Sequence, residues 1–195
     1  MRLGLIADTH MPGSIDALWP HALNALSGAD IILHAGDLHT LEIVDELEKL
    51  APVYVARGNG DAGIVDDRLQ DHWLLDVRGV SVGMIHHFPS PVRKSPETIR
   101  RYIAKHFHGE PDVVVFGHTH LEGVHVVEDL LLVNPGSPTL PQNQSLRPGT
   151  LGMMEVTEDH VVTTLFQLTD HGVEPHAVFD HHLHPHPRRE QVAGE

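Results

Sequence analysis

The chain opens on the stretch LGLIADTH at residues 3–10, an apolar run that ends in Asp8 and His10. Four later apolar runs also end in side chains that can bind a metal through oxygen or nitrogen. They are residues 31–33 before His34-Ala35-Gly36-Asp37, residues 53–56 before Arg57-Gly58-Asn59-Gly60-Asp61, residues 80–85 before His86-His87, and residues 113–116 before Gly117-His118-Thr119-His120. Short runs of this kind, rich in valine and isoleucine, are typical of buried parallel strands separated by helices.

The polar ends of these runs predict a metal centre. Open sheets of parallel strands bind ligands at the carboxyl ends of their strands. If the five runs lie side by side, their terminal side chains converge on one patch, and their number favours two ions over one. The candidate ligands are Asp8, His10, Asp37, Asn59, His86, His118 and His120.

Amphipathic segments between the runs predict three helices. The first covers residues 15–26, with Ser14 as its cap and Gly28 as its stop, and the second covers residues 40–50. The third covers residues 96–107, with Ser95 as the N-cap and a proline in the first helical position.

Three other pairs of apolar runs predict antiparallel hairpins. They are residues 73–77 with 80–85, residues 124–127 with 130–133, and residues 151–156 with 161–166. Hairpins added to parallel-like strands predict an α/β fold in which two mixed β-sheets pack face to face as a sandwich, flanked by helices in an α/β/β/α order. Residues 1–179 are expected to form one domain, and residues 180–195, rich in histidine and proline, a solvated tail.

Composition limits the classes of partner. The 195 residues include 27 acidic and 13 basic side chains, which give a formal net charge of −14. This charge argues against a general nucleic-acid binder or a protein of anionic membrane surfaces, because both need a basic surface. Cysteine is absent, and neither a signal peptide nor a membrane span is evident. We expect a cytoplasmic protein, and a homo-oligomer is compatible with the sequence.

The candidate ligands suit a pair of transition-metal ions. Such a pair needs an anionic bridge to hold two cations about 3.5–4 Å apart. Asp8 and Asp37 contribute two negative charges, so about two of the four positive charges of a divalent pair remain to attract a phosphate. Imidazole combined with carboxylate and amide oxygen favours Mn²⁺, with Fe²⁺, Zn²⁺, Co²⁺ or Ni²⁺ as alternatives, over Ca²⁺.

The ordered motifs resemble the calcineurin-like metallophosphoesterase superfamily, in particular its small bacterial and archaeal phosphodiesterases. The family pattern of D-x-H, G-D, G-N-x-D, a strand-ending histidine and G-H-x-H appears here in order. A further match is Asn134-Pro135-Gly136-Ser137, and the resemblance covers residues 1 to about 166. Five motifs in order, each after a plausible strand, make the resemblance specific.

The resemblance implies a set of ligands and a reaction. Asp8, His10, Asp37 and His120 would hold one metal, and Asp37, Asn59, His86 and His118 the other. Asp37 would bridge, Asn59 would also face the phosphate, and a hydroxide between the metals would attack phosphorus in line with the leaving oxygen. The substrate would be a small-molecule phosphate ester.

Gly60 departs from the family pattern. Many family phosphatases have a histidine at this place as general acid for the leaving group. Without that acid, a poor leaving group should react roughly 10²–10⁴ times more slowly, whereas a good one should be little affected. The sequence therefore favours a phosphodiesterase, with a phosphomonoesterase or a non-catalytic scaffold of the same fold, as in the retromer complex, as alternatives.

Four further polar residues in or beside the motifs have other expected roles. His87 follows His86 where relatives usually have glycine, so it is an alternative ligand. Asp61 is expected to orient its loop through hydrogen bonds rather than to bind metal. His34 is expected to pack in the core, and His39 is grouped with the surface or structural histidines.

Overall fold

Two facing β-sheets with helices on their outer sides form the architecture, in a computed structural model that describes residues 1–142, 149–179 and 181–185. The predicted α/β sandwich is confirmed. The first sheet contains β1 (Arg2–Ile6), β2 (Ile31–His34), β3 (Val53–Ala56), β4 (Leu69–Gln70), β10 (Thr150–Val156), β11 (His160–Thr169), β12 (Gly172–Pro175) and β13 (His182–Pro185). The second contains β5 (His72–Val77), β6 (Val80–Ile85), β7 (Val113–Val115), β8 (Gly123–Val127) and β9 (Leu130–Asn134). The helices are α1 (Pro20–Leu26), α2 (Glu42–Leu47) and α3 (Pro96–His106), and a 3-10 turn covers Asn59–Asp61.

Parallel strands form one side of the first sheet and the middle of the second. In the first sheet the order is β12-β11-β10-β1-β2-β3-β4, with β13 also beside β11, and β1 to β4 run parallel. In the second the order is β5-β6-β7-β9-β8, with β6, β7 and β9 parallel. The five ligand-bearing runs are therefore divided, three in one sheet and two in the other, rather than neighbours in one sheet.

Side-chain alternation along the strands divides the core into layers. Leu5 and Leu33 pack between the two sheets against Met84 and Val115, all without solvent exposure. Ile32, which points the opposite way from its neighbour, packs with α1 and α2. Helix α3 covers the outer face of the second sheet through a separate cluster. Both sheets are thus buried on two faces where their parallel strands lie, as near-continuous apolar runs require.

Helix α1 begins later than the sequence predicts. The sequence predicts a start at residue 15, but the observed helix starts at Pro20. Ser14 does not cap the helix, because its hydroxyl donates to the carbonyl of Thr9. Trp19, the residue before the proline, has an extended backbone with ψ 140°. A proline disfavours helical backbone in the preceding residue, so the helix begins at the proline itself.

The other predicted elements agree with the structure apart from their ends. Helix α2 is shorter than the predicted residues 40–50. Helix α3 begins at Pro96, and the side chain of Ser95 accepts a hydrogen bond from the Thr98 N–H, as an N-cap should. All three hairpins form, and the turn between β5 and β6 has positive φ at both Arg78 and Gly79, as a two-residue hairpin turn requires.

The C-terminal segment contains a strand within the predicted tail. β13 pairs antiparallel with β11, so that Val162 lies opposite Leu183. Composition alone indicated a solvated segment, whereas main-chain hydrogen bonds to the edge of β11 order these four residues. Residue 180 and residues 186–195 of the predicted tail lie outside the described residues, and the domain boundary at 179 stays a prediction. Within the described ranges, no helix has the length and apolar character to cross a membrane.

Candidate metal centre

Loops from both sheets meet at one end of the sandwich. Asp8, Asp37 and Asn59 follow β1, β2 and β3, while His86 and His118 follow β6 and β7. The two sheets are joined here by direct contacts, because the His118 N–H donates to the Asp8 carboxylate at 2.9 Å. The seven candidate ligands are consequently brought together, although they come from two sheets.

Buried carboxylates form the floor of this cluster. Asp8 is fully buried and Asp37 is 2% exposed. Burial, followed by the charge of Asp37, raises the pKa of Asp8 well above its ordinary value. Among the described residues, no ion pair joins either carboxylate to a lysine or an arginine. Within the part of the chain that the structure describes, neither acid therefore has a lysine or arginine partner.

Asp37 lies between two groups of imidazoles. Its Oδ2 atom is 3.5 Å from His10 Nε2 on one side and 3.5 Å from His86 Nε2 on the other. Its second oxygen, Oδ1, accepts a hydrogen bond from the Gly60 N–H at 2.7 Å. One oxygen is thus fixed by the backbone, while the other faces both groups, as a bridging ligand would.

On one side of Asp37, two histidines and an aspartate approach each other. His10 Nε2 is 3.1 Å from His120 Nε2, which is 3.6 Å from Asp8 Oδ1. The ligand atoms of Asp8, His10 and His120 all lie within 4.8 Å of one another. This spacing suits a single ion bound by two imidazoles and a carboxylate.

On the other side, Asn59 faces two histidines. Its Oδ1 atom is 3.3 Å from His86 Nε2 and 3.1 Å from His118 Nδ1, and these two nitrogens are 3.3 Å apart. Asp8 also approaches His86, but at 4.0 Å and toward Nδ1, the nitrogen that is directed at the Ala35 carbonyl. Asp37 is therefore better placed than Asp8 to share an ion with His86.

Burial favours the neutral form of two of the candidate imidazoles. It lowers the pKa of both His10 and His86. A neutral imidazole keeps a lone pair on one nitrogen, and a metal needs that lone pair. Both Nε2 atoms, which face Asp37, are suitable donors.

The structure distinguishes His86 from His87. His86 is 4% exposed and its ring lies within the cluster. His87 is exposed, and its ring centroid is 4.9 Å from that of His118, outside the group around Asp37. The geometry favours His86 as the ligand, in agreement with the preference from sequence.

Backbone strain is concentrated in the ligand loops. Positive φ angles, which are unfavourable for residues with a side chain, occur at Asp8, His10, Asp37, His118 and His120. Such strain accumulates at sites where the surrounding structure holds a functional geometry. Gly36 has φ 93°, and a Cβ on it would lie 2.4 Å from the Ala56 carbonyl, so only glycine fits before Asp37.

Comparison with known proteins agrees with this geometry. Residues 1–159 match the model of the calcineurin-like phosphoesterase superfamily domain. The chain belongs to this superfamily. The family resemblance found in the sequence is thereby confirmed, and with it the phosphoesterase fold. Within this fold, groups of His and Asp side chains are candidate metal ligands.

Several superfamily relatives have similar sequences. A probable metallophosphoesterase of Methanothermobacter thermautotrophicus is 37% identical over 144 residues, which are 73% of this chain and 80% of that protein. A probable metallophosphoesterase of Methanocaldococcus jannaschii is 32% identical, over 73% of this chain and 70% of its own length. A phosphodiesterase of the same archaeon is 28% identical over 153 residues, or 70% of this chain and 83% of the relative.

Solved structures share the fold of this superfamily member. Vacuolar Protein Sorting 29 from Cryptosporidium parvum superposes with a TM-score of 0.76 at 20% identity, covering 95% of this chain and 98% of that one. A Thermotoga maritima protein superposes with a TM-score of 0.65 at 30% identity, covering 86% of this chain and 99% of the other.

Asp61 organises the loops that carry the candidate ligands. Its buried carboxylate accepts backbone hydrogen bonds from the N–H groups of Asp37, Leu38, His39 and Gly58, at 2.7–3.1 Å. Burial opposes its ionisation, but the hydrogen bonds from the Gly58, His39 and Leu38 N–H groups lower its pKa. The expectation that Asp61 orients its loop is confirmed.

His34 packs beneath the same loops. It is fully buried, and its Nδ1 accepts from the Gly36 N–H while Nε2 lies 3.1 Å from the Thr9 hydroxyl. Burial lowers its pKa to about 4, so it is neutral at physiological pH. The expected packing role is confirmed.

Two polar contributions were not foreseen from sequence. His39, which the sequence analysis groups with the surface or structural histidines, lies with Nε2 2.8 Å from His10 Nδ1. Asn134 donates to the Gly117 carbonyl and Ser137 to the Asp8 carbonyl, so the Asn-Pro-Gly-Ser segment ties two ligand loops together. Spacing gives no signal for either contact, because both depend on how separate loops approach each other.

A cleft of about 470 Å³ opens beside the cluster. Three candidate ligands, Asn59, His86 and His118, line this cleft. Its wall also includes polar side chains that are not candidate ligands. Arg57 is one of these, but it donates to the Asp61 and Ile64 carbonyls and lies 3.6 Å from Asp71. The other lining residues are Gly58, Asp71, Ile85, His87, Tyr102 and His106.

We expect Asp61→Ala to lower the free energy of unfolding of the metal-free protein by about 3 kcal/mol or more, because each buried N–H without an acceptor costs roughly 1–3 kcal/mol. Urea denaturation would measure the change. Asp67→Ala, at an exposed aspartate of the same region, is the control and should stay within about 0.5 kcal/mol of the unmodified protein. Equal effects of the two substitutions would contradict the anchoring role of Asp61.

Proposed function

We propose that this protein is a metal-dependent phosphodiesterase with a dinuclear centre. The observation that carries the proposal is the position of Asp37 Oδ2, 3.5 Å from an imidazole nitrogen in each of two donor groups. One ion would be held by Asp8, His10, Asp37 and His120. The other would be held by Asp37, Asn59, His86 and His118.

The donor set fits divalent cations. Asp8 and Asp37 are buried side by side, and burial with mutual repulsion raises the pKa of Asp8. Cations would remove this repulsion, since charged groups are tolerated in the interior only when they are paired or coordinate a metal. Neutral imidazoles and an amide add ligands without adding negative charge. Nitrogen combined with oxygen donors favours Mn²⁺ or a neighbouring transition metal over Ca²⁺.

The residues of the centre would have different roles in the hydrolysis of a phosphate ester. When bound, a pair of divalent cations supplies positive charge to the phosphate and lowers the pKa of a water molecule. Asn59 is exposed, and its Oδ1 faces His86 and His118, so its amide N–H₂ is left to donate to a phosphate oxygen. The cleft beside Asn59 would receive the ester group. Asp37 would keep its Oδ2 atom directed at both donor groups through the Gly60 N–H bond.

Two observations favour diesters over monoesters. Position 60, where many family phosphatases have the general acid, is glycine, so no side chain there can protonate a poor leaving group. A relative from Methanocaldococcus jannaschii with 28% identity is named a phosphodiesterase. We infer that the favoured substrates are diesters or esters of acidic alcohols.

A non-catalytic scaffold is the alternative. Proteins named Vacuolar Protein Sorting 29 have this fold, but at about 20% identity they are similar to this chain in fold alone. This chain keeps all seven candidate ligands in one cluster, which favours catalysis.

Metal removal combined with a panel of esters tests the proposal. We expect chelation to abolish hydrolysis of bis(p-nitrophenyl) phosphate and Mn²⁺ to restore it. The aryl diester should react at least about 100-fold faster than an alkyl monoester, because position 60 supplies no proton donor to the leaving group. Full activity in a metal-free sample would refute metal dependence, and an inactive metal-loaded protein would favour the scaffold.

We expect Asp37→Asn to remove both metals together, because the bridge loses the charge that offsets repulsion between two cations. Elemental analysis of the purified variant would measure the metal content. Asp71→Asn is the matched control, since Asp71 is an exposed aspartate of the adjoining cleft and should leave the metal content unchanged. One metal at full occupancy in the Asp37 variant would show that this residue does not bridge.

The adjacent histidines provide a second matched pair. His86→Ala should remove one metal, since its Nε2 is 3.5 Å from Asp37 Oδ2, whereas His87→Ala should leave the stoichiometry unchanged. The same elemental analysis distinguishes them. A loss of metal only in the His87 variant would reverse the assignment.

A further inference from the structure

We propose that His39 is a positioning residue for His10. In this arrangement His39 Nε2 accepts a hydrogen bond from His10 Nδ1–H and so keeps the His10 Nε2 lone pair directed at the metal cluster. The inference rests on the proposed function for the identity of the ion, but the contact itself is a property of the protein alone.

The two nitrogens of His10 face different partners. Nδ1 is 2.8 Å from His39 Nε2, and the two rings are nearly perpendicular, with an interplanar angle of 87°. Nε2 is 3.5 Å from Asp37 Oδ2 and 3.1 Å from His120 Nε2. A neutral imidazole carries one proton, and the hydrogen bond of one nitrogen sets which nitrogen holds it. An acceptor at Nδ1 therefore keeps Nε2 free to bind a metal.

Two other candidate ligands show the same arrangement with a different acceptor. His86 directs Nδ1 at the Ala35 carbonyl at 2.7 Å, and His120 directs Nδ1 at the Leu140 carbonyl at 2.5 Å. Outer hydrogen bonds of this kind fix the tautomer and orientation of metal-binding histidines. His10 differs because its acceptor is a side chain, which a substitution can remove without altering the backbone.

The chain holds the His39 ring in place by two means. His39 has a positive φ of 77°, and its N–H donates to the Asp61 carboxylate, which keeps this backbone conformation. The ring also packs against Gly60. A Cβ at position 60 would lie 2.8 Å from His39 Cδ2 and 2.9 Å from Nε2, closer than such atoms approach.

This packing gives a physical reason for Gly60. A side chain at position 60 and the ring of His39 would compete for one space. The residue that departs from the family pattern is therefore the residue that leaves room for the acceptor of His10.

The first experiment compares His39→Ala with His39→Gln. We expect ¹⁵N NMR of the metal-free, unmodified protein to show the Nδ1–H tautomer of His10, and His39→Ala to lose this preference. The same substitution should weaken Mn²⁺ binding about 10–100-fold. His39→Gln should restore much of the affinity, because the glutamine carbonyl can accept the same hydrogen bond.

His171→Ala is the control for loss of an exposed histidine, because His171 lies on the turn between β11 and β12. Its Mn²⁺ affinity and the His10 signals should match those of the unmodified protein. An unchanged affinity in His39→Ala, or an Nε2–H tautomer of His10 in the unmodified protein, would overturn the inference. If the unmodified protein binds no Mn²⁺, the proposed function fails, while the NMR comparison still decides the role of His39.

A double-mutant cycle tests the packing against Gly60. Gly60→Ala should weaken Mn²⁺ binding in the unmodified background by displacing His39, but should add little in the His39→Ala background, since residues in contact are not additive. A Cβ at position 60 also approaches Asp37 Oδ1 to 3.2 Å. Equal effects in both backgrounds would mean that Gly60 acts through Asp37, which would overturn the competition with His39.

Discussion

Two buried carboxylates at the junction of the sheets impose the main physical constraint on this molecule. Asp8 and Asp37 lie almost without solvent contact, and no lysine or arginine of the described residues pairs with them. Backbone N–H groups of His118 and Gly60 compensate part of the charge. Cations would supply the remainder, since burial of unpaired charge is strongly unfavourable.

Hydrogen bonds within the protein fix the loops around these acids. Asp61 accepts four backbone hydrogen bonds, and the Asn134 and Ser137 side chains tie loops of the two sheets together. These contacts hold residues such as Asp37 and His118 in left-handed backbone conformations that are unfavourable for side-chain-bearing residues. A site arranged in advance loses less free energy to ordering when it binds a ligand.

Position 60 illustrates how a departure from a family motif acquires a structural meaning. From sequence, Gly60 indicates only that a general acid is missing. In the structure the space beside Gly60 is occupied by the ring of His39. This ring contacts His10, a proposed ligand, from outside the cluster. The same glycine is thus part of both proposals, the preference for acidic leaving groups and the positioning of His10 by His39.

The sequence by itself determined the five ligand-bearing strands, the third helix, the three hairpins and the set of candidate ligands, but not β4, β12 or β13. Alternation, caps and turn residues act over a few neighbouring positions, so a pattern such as Ser95-Pro96 can be interpreted locally. Only the tertiary structure placed His86 inside the cluster and His87 outside it, revealed the contact of His39 with His10, and divided the ligand-bearing strands between two sheets. These features depend on which loops meet across the sandwich, and long-range packing leaves no periodic trace in the sequence.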